Sequence, residues 1–494
     1  MKISECTKSI QSPFIYALST RSGAWVQVLL LVIMLLMPTA CAHYPVNQKL
    51  ESIDKVLQIK DRGFVGSRYA SKELLLVLSF SGGGTRAAAM SYGVLEALDR
   101  VGMPYAGEEA KTLTGAGEKH ALLDEVDVIT SVSGGSFTAA YYGLHGDRIF
   151  KDYKERFLTR PVQRSLLMRV LFSPVNWVRL MSSKFGKSDL AAEYYDKILF
   201  DGATFGDLRE QGPNIRIQAT ELADGYSFGF TGPQFAYICS DLDKYPVSRA
   251  VAASAAFPGP FTPIILNNYT GQCGLEEPQW VKQTLANRNT TSRKYHTAKK
   301  MHTYFDIESK RFIHLLDGGI SDNLGVRGPS EIFRVFGGAE QVMEEMKIEQ
   351  TRRVAVIVVN ASTPKKYKWG QMNSIPGLGD TIGLTSGIMV QSYNFETMDL
   401  LRRNLKQLER ESAGPGGTRK PIQTYLVEVG FDALPDRAEQ MEYADIPTSL
   451  QLPEDTVDRL RQVAGRILFS SPEFKKLVND LGGEIPDNRQ MGVK

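Results

Sequence analysis

The chain reads as an α/β protein built around a mainly parallel sheet, and three observations predict it. Short runs such as Leu74–Phe80 (LLLVLSF) and Val126–Val132 (VDVITSV) are apolar or β-branched almost throughout. Such runs suit strands covered on both faces. Each is followed by a glycine-bearing turn and then a segment of helical composition, Thr85 to Arg100 after the first and Gly134 to Gly143 after the second. Finally, 494 residues with 43% apolar composition can bury a large core. Strands alternating with helices imply parallel pairing with helices on both faces of the sheet.

At the N-terminus an apolar run, Ala24 to Met37, is broken only by Gln27 and preceded by Lys2, Lys8 and Arg21. It is shorter than the roughly 20 residues that span a bilayer. A short apolar core with basic flanks and small residues at its end is an export signal. Ala40 before Cys41 resembles a bacterial lipobox, which would make Cys41 the lipidated residue and place the protein at the cell envelope, on the periplasmic side of the outer membrane. Pro38 stands where an aliphatic residue is usual, so an ordinary cleaved signal and an uncleaved anchor remain open. Multiple acyl chains would hold a protein stably where one holds it marginally.

The expected organisation is a leader over 1–41, a polar linker over 42–73, a core with insertions over 74–330, and a continuation of the same α/β domain over 331–494. Further strands are expected at Ile215 to Thr220, Phe312 to Leu316, Arg353 to Asn360 and Thr424 to Val429. Arg160 to Lys187 mixes Leu166, Leu167, Val170, Leu171, Trp177 and Phe185 with Arg164, Arg169, Arg179 and Lys184. An interfacial helix or lid over a lipid site fits this pattern, and so does a core-packed helix pair with a solvated basic face. Pro174 divides the segment either way. Asn287 to Lys300 (NRNTTSRKYHTAKK) reads as a polar surface loop. Asn394 to Glu411 reads as amphipathic, followed by a glycine-rich connection from Ala413 to Gly417.

Several functions are disfavoured. Lys plus Arg is 58 against 55 for Asp plus Glu, a net charge of +3, so no strongly basic domain marks a nucleic-acid partner. No Cys-x-x-Cys pair marks a zinc site. Cys239 and Cys273 could pair in an oxidising compartment or stay buried as thiols. The run Gly82-Gly83-Gly84-Thr85-Arg86 lacks the Gly-Lys-Ser/Thr of a Walker loop and the last glycine of a dinucleotide fingerprint.

What remains is acyl-transfer chemistry. A serine attacks a carbonyl when its hydroxyl is exposed, deprotonated on demand and beside donors for the oxyanion. Ser133, within Ser131-Val132-Ser133-Gly134-Gly135, falls on a strand-to-helix turn that supplies such exposure. Ser131 stands where glycine is usual. Gly82, Gly83 and Gly84 can turn their N–H groups toward one point. Arg86 could bind an anionic head group or fix that loop. Asp317 ends the run FIHLLD, before Gly318 and Gly319, at what reads as the carboxyl edge of the parallel sheet. None of the six histidines sits in a glycine-flanked loop, so a Ser–Asp dyad is preferred to a triad.

SGGGTR, the SVSGGS elbow and LLDGGISDN, in this order, resemble the patatin-like phospholipase family, together with ATEL (Ala219 to Leu222) and RAVAASAAFPGPFTP (Arg249 to Pro263). Ser81 replaces an aspartate common in the family, and Ala87 a glycine. The resemblance implies a three-layer α/β/α fold, Ser133 as nucleophile, Asp317 as base, and an oxyanion hole from Gly82 to Gly84 with Gly134. It implies no cofactor and no metal. The expected activity is hydrolysis of phospholipid or related lipid esters at a membrane surface. A general lipase or thioesterase with the same dyad, or a silent lipid-binding envelope protein, are the alternatives.

Overall fold

The computed structural model describes residues 46–52, 73–104, 120–209, 212–327, 350–363, 373–414 and 420–486. Cys6, Cys41 and the rest of the leader, together with residues 105–119, lie outside the described residues. The main sheet contains β1 (Leu74–Phe80), β2 (Val126–Val132), β3 (Asn214–Glu221), β4 (Ser227–Phe230), β5 (Ile264–Asn267), β6 (Phe312–Asp317), β7 (Arg353–Asn360) and β8 (Gln423–Gly430). Its order is β8-β7-β1-β2-β3-β6-β5, with β4 on β3. The helices that matter below are α1 (Gly84–Asp99), α2 (Gly134–His145), α3 (Val162–Leu171), α4 (Pro174–Leu180), α5 (Lys187–Tyr195), α6 (Val247–Ser254), α7 (Gln279–Ala286), α8 (Arg293–Phe305), α9 (Leu378–Ser412) and α10 (Glu454–Ser470).

Alternation along β1 explains why its whole run is apolar. Leu74, Leu76, Leu78 and Phe80 join the core built with α1, α2 and α10. Leu75 and Val77 face the other way, into a cluster with Met398, Leu401, Leu405 and Leu408 of α9. With side chains alternating across the pleat, both layers need apolar partners from one strand. The fold is therefore three layers, α/β/α. On the first face α1 and α10 cross so closely that a Cβ on Gly93 would lie 2.3 Å from the Arg461 carbonyl oxygen.

The sheet divides into two halves. β8, β7, β1, β2 and β3 pair in parallel, as their buried runs predict. Beyond β3 the pairing is antiparallel, to β6 and β4, and from β6 to β5. β4 and β5 were not anticipated. They are only four residues each and alternate in burial, a weak pattern beside the runs of the parallel half. Asp317 thus reaches the carboxyl edge of the parallel strands from the opposite direction, on an antiparallel strand.

Two further expectations need correction. The segment 287–300 is not simply a surface loop. Ser292 caps α8 by accepting the Tyr295 N–H, and Ala298, Met301 and Tyr304 bury one face at helical spacing. The linker is in part packed: Asn47 and Leu50 are buried, and the Leu50 N–H donates to the Cys239 carbonyl. They dock beside a disulfide joining Cys239 to Cys273, whose Cα atoms are 5.6 Å apart. Finally, Arg160 to Lys187, for which two readings stood open, forms a helical hairpin, α3 and α4, that is core-packed only in part. Val162 and Leu166 are buried, but Leu167, Leu171, Phe172, Val175, Trp177 and Met181 are exposed, Phe172 at 71% and Met181 at 83%. Ser173 caps α4 with Pro174 in its first turn, which makes the sharp reversal.

Two of the bases of this hairpin are engaged with its neighbours. Arg179 pairs with Glu193 of α5 and stacks 4.0 Å from the Phe185 ring centroid, and Arg169 lies over Tyr194. They pin the hairpin to α5, while much of its apolar surface stays exposed. Among the described residues no helix is long and apolar enough to cross a membrane.

Candidate active site

The strand register assembles the site. Phe80 pairs with Ser131, Val132 with Gln218, and Ala219 with Asp317. The residues just past β1 and β2 and the last residue of β6 therefore meet at one level. Ser133 sits between β2 and α2 with φ 49° and ψ −118°, a conformation rare for a residue with a side chain, and one that turns its hydroxyl away from the sheet. Gly134 and Gly135 permit the tight packing behind it. A Cβ on Gly134 would come 2.0 Å from the Gly84 carbonyl oxygen. Ser131, in the position where glycine is usual, is buried and donates at 3.4 Å to the Arg216 carbonyl.

Ser133 Oγ donates to Asp317 Oδ2 at 2.8 Å, and the Gly319 N–H donates to Asp317 Oδ1 at 2.8 Å. Asp317 is only 6% exposed. Burial pushes its carboxyl up to about 6, against the opposing pull of the Gly319 N–H and the Ser133 hydroxyl. Among the described residues no histidine lines the cavity that holds this pair. The serine and aspartate are brought together across 184 positions of sequence.

The glycine loop divides in two. The Gly82 N–H donates to the Asn323 carbonyl at 3.0 Å, which removes it from the expected oxyanion hole. Gly83 (φ 142°) and Gly84 (φ 61°) adopt conformations reserved for glycine. Their N–H groups, and that of Gly134, have no acceptor among the described residues. Gly84 and Gly134 both stand in first helical turns, where N–H groups lack intrahelical partners.

Arg86 does not serve as the anion site that was one expectation for it. It is buried, donates Nε to the Ala361 carbonyl at 2.8 Å, and donates further to Ile446 O and Thr448 Oγ1. Burial lowers it to about 10. Its guanidinium fixes the glycine loop to two distant segments. Ser81, in place of the family's common aspartate, does similar work: its Oγ accepts the Ala361 N–H at 2.9 Å and its own N–H donates to Val359 O.

Sequence reasoning missed Asn323 and Ser254. Asn323 supplies the carbonyl that takes Gly82 and also donates to Ser362 Oγ at 3.0 Å. Ser254 accepts the Ser133 N–H at 2.8 Å. Both lie inside segments that carried the family resemblance, yet neither residue type signals its role in one sequence.

Above Ser133 and Asp317 opens a cavity of about 910 Å³. Leu166, Leu167 and Val170 of α3, with Leu190, Phe257 and Phe261, make an apolar wall, while Gln163, Thr448 and Ser449 stand on a polar side. Mostly apolar walls with a few polar groups characterise sites for small organic ligands.

A family model described as patatin-like phospholipase matches residues 78–329, half of the chain. The chain belongs to this family, and its activity class is that of a lipid acyl hydrolase. Solved structures similar to it include a human GIVD cytosolic phospholipase A2, 13% identical with a TM-score of 0.44, covering 89% of this chain and 68% of that one. The same human enzyme with methyl gamma-linolenyl fluorophosphonate inhibitor and terbium chloride gives a TM-score of 0.36 at 13% identity, covering 86% and 62%. With the fluorophosphonate alone the TM-score is 0.35 at 13% identity, covering 93% and 64%. This chain thus spans about two thirds of the length of those proteins. No curated protein matches it significantly.

Proposed function

We propose that the protein hydrolyses carboxylic esters of phospholipids or related lipids, with Ser133 as nucleophile and Asp317 as general base. The observation that carries this reading is the 2.8 Å hydrogen bond from Ser133 Oγ to Asp317 Oδ2 at the base of a large, mostly apolar cavity.

Asp317 takes the Ser133 proton as Oγ attacks the ester carbonyl carbon. The carbonyl oxygen becomes an oxyanion facing the N–H groups of Gly83, Gly84 and Gly134. Collapse of the tetrahedral intermediate breaks the bond to the alcohol oxygen, which leaves with the proton held by Asp317. Water, deprotonated by the same carboxylate, then attacks the acyl-serine and frees the fatty acid and Ser133. A carboxylate raised to about 6 is a stronger base than an ordinary aspartate and is still ionised at neutral pH.

The exposed apolar hairpin α3–α4 supports action at a lipid surface, since the helix that shows Leu171 to bulk solvent also lines the cavity through Leu167 and Val170. The leader sequence supports export, with Cys41 as the anchored residue. The test is release of fatty acid from phospholipid vesicles and from a short-chain ester, beside Ser133→Ala and Asp317→Asn, with mass spectrometry of the trapped acyl-serine. Activity retained by a folded Ser133→Ala would sink the reading.

A further inference from the structure

Ser133 is held in a strained conformation, and something must hold it there. A non-glycine residue at positive φ is strained and persists only where its surroundings over-determine it. The helix that follows does not account for it, because a helix N-terminus leaves its first N–H groups without partners. The Ser133 N–H instead donates at 2.8 Å to Oγ of Ser254, the fully buried last residue of α6.

The polarity of that bond is fixed by its neighbours. Ser254 Oγ is 2.6 Å from the Gln218 carbonyl oxygen, which can only accept, so the single hydroxyl proton of Ser254 lies there. Its lone pairs are left to accept from the Ser133 N–H and from the Ser136 hydroxyl, 3.0 Å away. Every bonding direction of this one oxygen is thereby filled.

The same turn also positions the base. The Ser254 carbonyl accepts the Gly318 N–H at 3.1 Å, and the Ala256 carbonyl accepts the Asp317 N–H at 3.1 Å. Two residues of one turn, Ser254 and Ala256, therefore fix the backbone of nucleophile and base together. They lie 121 positions from the first and about half that from the second. The bond has another consequence: it removes the Ser133 N–H from any role toward the oxyanion and leaves Gly83, Gly84 and Gly134 as donors.

We infer that Ser254 is a positioning residue for the nucleophile, its hydroxyl clamping the elbow at Ser133 in the register that Asp317 requires. The inference rests on Ser133 and Asp317 being the reacting pair.

The experiment compares Ser254→Ala, Ser254→Thr, Ser254→Cys and Ser136→Ala in the full chain, with kcat, KM and Tm for each on a short-chain ester and Ser133→Ala as the inactive reference. Ser254→Ala should lower kcat about 10- to 100-fold with little change in KM, since an orphaned buried donor relaxes the elbow without touching the cavity wall. Ser136→Ala removes a bond of the same buried triangle but leaves the Ser133 N–H paired. It should lower Tm comparably while kcat stays within about threefold of the parent. Threonine, which keeps the hydroxyl, should restore kcat, and cysteine, a weak acceptor, should fall between. Equal kcat losses in Ser254→Ala and Ser136→Ala would overturn the inference in favour of packing alone. Should Ser254→Ala not fold, a folded Ser254→Cys turning over at the parental rate would overturn it equally. If Ser133→Ala itself stays active, the dyad has failed; if it is dead and Ser254→Ala is unimpaired, only the clamp has.

Discussion

The floor of the cavity and its mouth are built on opposite physical terms. At the floor, Ser133, Asp317 and Ser254 are buried, and each polar atom is met at hydrogen-bond distance. At the mouth, α3 and α4 leave Leu167, Leu171, Phe172 and Trp177 about half exposed or more. Desolvation at the floor raises Asp317 and makes fixed dipoles effective. Exposure at the mouth is unfavourable in water and becomes favourable only against another apolar phase. On the proposed function, one region serves chemistry on any ester that reaches it, and the other serves access to esters that are aggregated.

If that division holds, changes at the floor must affect every substrate alike. Ser133→Ala and Asp317→Asn should each reduce hydrolysis of vesicles and of a monomeric ester together, by about 10⁴-fold for the serine. A loss confined to vesicles would break the comparison at its strongest point.

Changes at the mouth should be selective. Replacing Leu171 and Phe172 together by aspartate should reduce vesicle binding and vesicle hydrolysis by about 100-fold or more, since each buried side chain of this kind is worth roughly 1.5–3 kcal/mol. Hydrolysis of a short-chain ester below its solubility limit should stay within about twofold. Sedimentation with vesicles, measured beside both rates, separates weakened binding from a damaged floor. Equal losses on both substrates would show that the hairpin is part of the packed core.

The two regions also differ in how far the sequence reveals them. At the floor, Ser133, Asp317 and the glycine run sit in short motifs whose order is diagnostic, and β1, β2 and β7 match the apolar runs residue for residue. What was not legible there depends on partners far along the chain. Gly82 looks like any loop glycine until Asn323 takes its N–H, and Arg86 looks like an anion site until the carbonyls of Ala361 and Ile446 surround it. At the mouth the sequence left two readings open, because Leu166 to Val178 has the same periodicity whether its apolar face is covered or bare. Only the tertiary position of Arg169 and Arg179 on α5 decides between them. The antiparallel edge was missed because four-residue strands carry too little pattern.

Titration tests the floor from another side. With Asp317 raised to about 6, kcat/KM should fall on the acid side with an apparent value near 6, to about a tenth of its plateau at pH 5. The sign for stability is opposite. Unfolded Asp317 ionises near the ordinary carboxylate value of 3.8, so the folded state binds its proton more tightly. The stability this confers is complete below that value and is lost as pH rises through about 6. Asp317→Asn, which has no charge to bury, should therefore gain stability relative to the parent at pH 8 by up to about 3 kcal/mol. The gain should vanish near pH 4. Thermal melts at both pH values check it, and no difference between them would mean that the carboxylate is not desolvated.

The smallest expected effect lies where the two regions meet. Two cations line the cavity, Arg86 and Lys187, and Arg86 is committed to the glycine loop. Lys187, at the start of α5, is exposed and has no ion-pair partner among the described residues. A solvated ammonium at the rim is worth little on a neutral ester and up to about 1 kcal/mol on a phosphate that passes beside it. Lys187→Ala should raise KM for an anionic phospholipid about two- to fivefold, leave kcat unchanged, and lose its effect as salt screens the pair. A neutral glyceride should show no change. If both lipids respond equally, Lys187 acts through packing against the cavity wall, and the preference for phosphate must be sought among Gln163, Thr448 and Ser449 on the polar side.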